Sequence, residues 1–184
     1  MTNPIGFSEP EIQQFFEYWN ELRGDDLLPA KSSFDPQRVT LLLPKLTVLQ
    51  WTPPDTLLVR LMGTEIVSHH IKERMGTNLL DAVQPSQKAV LAAFTAAFFT
   101  QISVAEVDTR RHYTSGALVG ALNGYFPFRG EDEIVNFAIG VHCADTDAIS
   151  KILPNDSLSH IEVLDYRFTD IGNGVLDLDF NSAG

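Results

Sequence analysis

The apolar positions change period along the chain, and each change marks an element. Ile12, Phe15, Phe16, Trp19 and Leu22 recur at helical spacing on one face. Ser8 is placed to cap that helix, with Glu11 completing a capping box and Phe7 and Ile12 forming a hydrophobic staple. Pro10 falls in the first turn and Gly24 just past the end. A shorter helix is expected after it, capped by Asp35, with Pro36 at its first position and Pro44 as its stop. Strand-like runs over 46–51 and 57–62 flank turn residues and predict a hairpin. Thr64 is placed to cap a short helix over 65–71, and a longer helix is expected over 85–101.

From residue 104 the period becomes two. Ala105, Val107 and Thr109 face one way, and Glu106, Asp108 and Arg110 the other. Runs over 117–128 and 134–143 read as two further strands. In the last of these Val135, Phe137, Ile139, Val141 and Cys143 share a face, opposite Asn136, Ala138, Gly140 and His142. Two strands, intervening helices and three strands predict an α+β fold with a five-stranded antiparallel sheet. The helices would cover one face. The aromatic N-terminal helix would cover the other or pair with a second copy. The expected organisation is an N-terminal helical segment (1–45), a core (46–145) and a C-terminal extension (146–184), in which 161–169 could add a strand.

Composition narrows the function classes. A chain of 184 residues with 44% hydrophobic and 20% charged residues has the make-up of one globular domain. A net charge of −11 disfavours nucleic acid and anionic lipid as partners. The single cysteine excludes a disulfide framework and a Cys-rich zinc site, and it fits a reducing compartment. The start of the chain lacks the pattern of a signal peptide. The most apolar stretch, 89–99, is short of the ~20 residues a bilayer span needs. A cytoplasmic protein without a membrane span is therefore expected.

The segment Tyr18-Trp19-Asn20-Glu21-Leu22-Arg23-Gly24, followed by Leu28-Pro29, Phe34-Asp35-Pro36 and Leu42-Leu43-Pro44-Lys45-Leu46, resembles the opening of a family of short bacterial PAS-domain proteins common in alphaproteobacteria. Arg60-Leu61-Met62-Gly63-Thr64-Glu65-Ile66 and Gly76-Thr77-Asn78-Leu79-Leu80-Asp81 continue the resemblance in the same order. Lys31 stands near where the family usually has an arginine. The resemblance implies a PAS-like fold and a non-catalytic sensory, signalling or protein-interaction module. Such a module would hold a small ligand between sheet and long helix, dimerise through its N-terminal helix, or bind a signalling protein. The alternatives are a small isomerase- or dehydratase-like enzyme on a similar sheet, or an adaptor with a filled core.

The candidate ligand-binding residues are Arg60, His70, Phe94, Phe98, Asn123 and Tyr125, and the candidate dimer residues are Phe15, Phe16 and Trp19. Arg60 is a charge within an apolar strand, placed either for a ligand carboxylate or for Glu106 or Asp108. Phe94 and Phe98 would wall a pocket or fill the core. Asn123-Gly124 is either a hairpin turn or a bulge that turns Asn123 and Tyr125 toward the pocket. His69 and His70 point about 100° apart on a helix, so both cannot serve one metal. The ligand is unknown. Haem is disfavoured because the long helix has no histidine, and flavin chemistry because Cys143 ends a strand. The cluster Arg110-Arg111-His112-Tyr113 reads as a solvated edge, and no catalytic acid, base or nucleophile is assigned.

Overall fold

The computed structural model describes residues 6–68, 74–131 and 133–174. Helix α1 (Pro10–Arg23) buries Ile12, Phe15, Phe16, Tyr18 and Trp19. It begins one residue later than the Ser8 cap requires: Glu9 is the cap residue and its side chain makes no capping bond. Gln13 instead reaches back to accept from the Phe7 N–H at 3.0 Å. Phe7 stacks edge-on against Phe16 and Phe126. Gly24 ends the helix at φ 54°, donating its N–H to the Asn20 carbonyl.

The expected second helix resolves into short 3-10 turns, among them Pro36–Val39 and Leu43–Lys45. Asp35 caps the first through the Gln37 N–H, and Pro44 lies inside the second rather than ending a helix. The hairpin follows as expected: β1 (Leu46–Thr52) pairs antiparallel with β2 (Thr56–Met62). Helix α2 (Thr64–Ser68), two more 3-10 turns and α3 (Lys88–Gln101) lead to β3 (Val104–Tyr113), β4 (Leu118–Arg129) and β5 (Val135–Ala144). After the short α4 (Thr146–Ile149), the extension forms a full strand, β6 (Leu158–Thr169), paired with β3 along its length.

The sheet therefore has six strands, not five, in the order β2-β1-β5-β4-β3-β6. Residues alternate between its two faces, and each face has its own core. One face takes α1, with Val104, Phe126, Phe128, Ile139 and Val141 beneath Phe15, Phe16 and Trp19. The other takes α3 and the turns before it, with Leu91, Phe94, Phe98 and Phe99 over Leu49, Val59, Ala105, Val107, Ala138 and Val163.

This arrangement corrects the expected dimer contact. Phe15 and Trp19 are 0% exposed and Phe16 is 6% exposed, all against the chain's own sheet. The Trp19 indole N–H also donates to the Pro127 carbonyl at 2.9 Å. The aromatic stripe packs inward because the sheet's second face would otherwise be bare, so it leaves no surface for a second copy.

Asn123 is also corrected in its local structure. It lies in neither a turn nor a bulge: β4 runs in unbroken register past it, opposite Val107 on one side and His142 on the other. The bulges lie elsewhere, at Asn136 on β5 and on the two edge strands. On β2 the register skips Arg60 between Val59 and Leu61, and on β6 it skips Leu164 between Val163 and Asp165. A bulge adds one residue to one strand and shifts the alternation by one. Residues three apart can then share a face, as Val59 and Met62 do on β2 and Val163 and Tyr166 on β6.

Candidate ligand-binding cavity

Between the inner face of the sheet and α3 lies a cavity of about 110 Å³. Its wall is mostly apolar, with Leu49, Val59, Leu91, Phe98, Val107 and Val163 among the lining residues. A continuous polar strip crosses it: Thr47 from β1, His142 from β5, Asn123 from β4 and Thr109 from β3. Alternation places them there, because each points to the same face of its strand.

Hydrogen bonds fix the strip's proton positions. The Asn123 amide nitrogen donates to the Val107 carbonyl at 2.9 Å and to Thr109 Oγ1 at 3.0 Å. Its Oδ1 therefore faces His142 Nδ1, 2.7 Å away. An amide oxygen only accepts, so Nδ1 carries the proton. In the neutral ring Nε2 is then an acceptor, and the Thr47 hydroxyl donates to it at 2.8 Å. Thr109 donates onward to the Ala121 carbonyl at 3.0 Å. The strip is satisfied within the protein.

Other polar groups on the wall differ. Arg111 is 3% exposed on β3, hydrogen-bonded to Tyr113, and burial lowers its pKa. Arg74 also lines the cavity, and its Nε is buried with no hydrogen-bond partner. Tyr125 lies over Gly140, directly opposite it on β5, where a Cβ would come 2.7 Å from the ring. Burial pushes the Tyr125 hydroxyl up to about 12 and raises that of Tyr166 as well.

Of the expected ligand residues, Phe98, Asn123 and Tyr125 line the cavity. Phe94 does not. It lies in the same core, with its ring against Tyr166 at 5.2 Å and Phe168 at 5.8 Å. Arg60 is exposed at the β2 bulge, outside the cavity lining and with no ion pair to Glu106 or Asp108 among the described residues. Its place is the far edge of the sheet from β3. His70 lies outside the described residues. Arg111, read as part of a solvated edge, is the buried cation, whereas Arg110 and His112 do face outward to Glu162. Continuing the alternation from Ala105, Val107 and Thr109 points to Arg111. No signal in the sequence pointed to Arg74 or Tyr166, which reach the cavity through a loop and a bulge.

Cys143 lies on the opposite face, packed against the α1 core. Burial first, then Glu11 and Glu9, push its thiol up to about 12. Glu9, Glu11 and Cys143 bring potential ligand atoms within 4.8 Å of one another. The Lys45 ammonium already holds Glu11 at 2.8 Å, and the thiol stays protonated, so the group reads as an ion pair beside a neutral thiol. No helix among the described residues is long and apolar enough to cross a membrane.

The model of a family described as a PAS domain matches residues 7–142, a span that includes α1 and stops before β6. No curated protein matches the chain significantly.

Proposed function

From membership of the PAS domain family, to which this chain belongs, we propose that the protein is a sensory module that takes a small molecule into the cavity between sheet and α3 and passes its occupancy to α1. Family membership by itself carries the coarser statement, a sensory or signalling domain. The observation that supports the finer reading is the cavity, with a satisfied polar strip at its floor and a mostly apolar wall. Ligand sites are typically such apolar concavities with a few placed polar groups.

β4 supplies the route outward. Asn123 and Tyr125 face the cavity, while Gly124 and Phe126 face α1. At Gly124 a Cβ would come 2.6 Å from the Ile12 side chain, so helix and strand pack closely there. A ligand that shifts Tyr125 shifts the surface on which α1 rests, and it biases the helix as far as it binds the two positions unequally. The exposed edge of α1, Gln14, Glu17 and Glu21, is the surface from which a signalling protein would read the change. An acidic edge fits a basic partner. A homodimer, if formed, uses some surface other than the aromatic stripe.

The enzyme alternative gains little. It requires an acid–base pair in the cavity, and among the described lining residues there is no Asp or Glu to pair with His142. Native mass spectrometry of the purified protein tests the sensory reading. A retained small mass, lost on denaturation and lost in a cavity-filling Ala138→Phe variant, is the expected result. Equal retention by that variant would place the ligand elsewhere.

A further inference from the structure

The polar groups of the cavity divide into those already satisfied and those that are not. The strip Thr47, His142, Asn123 and Thr109 has placed each of its protons on an acceptor. The hydroxyls of Thr95, Tyr125 and Tyr166 also belong to residues of the cavity wall. Arg74 Nε is buried and without a partner. Arg111, hydrogen-bonded to Tyr113, brings a second guanidinium to the wall. Guanidinium groups only donate, and a hydroxyl needs an acceptor for its proton. No Asp or Glu lines the cavity among the described residues. The surplus is in donors and positive charge, inside a wall that is otherwise apolar.

Resting on the reading of the cavity as a ligand site, we propose that its occupant is a small monocarboxylate with a short apolar body, its carboxylate received by Arg74 and Arg111. The fork of a guanidinium matches the two oxygens of a carboxylate. The hydroxyls of Thr95, Tyr125 and Tyr166 supply further donors along the wall. Volume limits the body: an apolar cavity of about 150 Å³ holds benzene, and this one is about 110 Å³. An acid of about four to six carbons fills it.

The test is calorimetric titration of the full chain with isovalerate and with isovaleramide, its neutral isostere, beside octanoate, inorganic phosphate and xenon. Isovalerate should bind at least about tenfold more tightly than isovaleramide, in keeping with the greater strength of charge-assisted hydrogen bonds. Octanoate and phosphate should not bind. Arg111→Met removes a buried group and is exposed to misfolding. Arg74→Met carries the test in that case: it should weaken isovalerate at least about tenfold and leave isovaleramide within about twofold. Equal binding of acid and amide, or isovalerate binding unchanged in Arg74→Met, overturns the carboxylate assignment. So does binding of octanoate or phosphate in place of isovalerate. If the acids fail while xenon still enters, the cavity reading stands and only the ligand class falls. If neither acid, amide nor xenon enters, both fall.

Discussion

His142 and Asn123 face each other across β5 and β4, with the imidazole Nδ1 2.7 Å from the amide Oδ1. This contact sets the histidine tautomer and, through Nε2, orients the Thr47 hydroxyl 2.8 Å away. Nitrogen-15 NMR of the imidazole should therefore report a proton on Nδ1. Asn123→Ala leaves the Nδ1–H without its partner, and should lower stability by roughly 1–3 kcal/mol in urea denaturation. Arg60→Ala, at an exposed bulge, should change it by less than about 0.5 kcal/mol. Equal effects of the two substitutions would contradict the buried network.

The burial of α1 gives a second prediction. Phe15 is 0% exposed against Phe126, whose ring centroid is 4.9 Å away. Phe15→Ala should cost about 3–5 kcal/mol at every protein concentration. A loss that disappears at high concentration would mean the aromatic face meets a second copy after all.

Two glycines rank by what obstructs them. At Gly63 a Cβ would come 2.2 Å from the Pro44 carbonyl oxygen, a backbone atom that cannot swing aside. At Gly140 the obstruction is the Tyr125 ring at 2.7 Å and Thr47 Oγ1 at 2.8 Å. Alanine at either site should destabilise, Gly140→Ala by about 1–3 kcal/mol and Gly63→Ala by more. Thermal denaturation of both variants checks the order.

Much of this was legible in the sequence, and the failures have physical causes. The stripe from Ile12 to Leu22 and the alternation of β3 and β5 report burial directly, so α1 and the central strands were predictable. Asn123 and Tyr125 reach the cavity through that same alternation, although β4 has no bulge there. Arg60 misses the cavity because alternation turns it to the face opposite Leu57 and Val59. Arg111 was misread because a charged run looks solvated, although it continues the inward positions of β3. β6 was half visible, since its alternation breaks at Leu164.

Alkaline pH should destabilise the fold. Tyr125 is raised from 10.0 to about 12, and Cys143 from 9.0 to about 12. The folded state keeps protons there that the unfolded chain has released, so stability is complete below about pH 9 and falls toward pH 12. Cys143→Ser should remove the first part of the decline, because the unfolded thiol releases its proton before tyrosine does. Urea midpoints at about pH 8, 10 and 11 follow the effect, and a flat profile would contradict the burial of these groups.

The central claim is that the cavity takes a ligand and that β4 carries its presence to α1. Amide NMR of the uniformly nitrogen-15-labelled chain during titration with isovalerate tests it most directly. The account predicts shifts at Asn123, Tyr125 and Ala138 on the cavity side, together with Gly124 and the Trp19 indole N–H on the α1 side. Shifts confined to the cavity side would contradict the coupling, and no shift at any of these residues with either isovalerate or xenon would contradict the site.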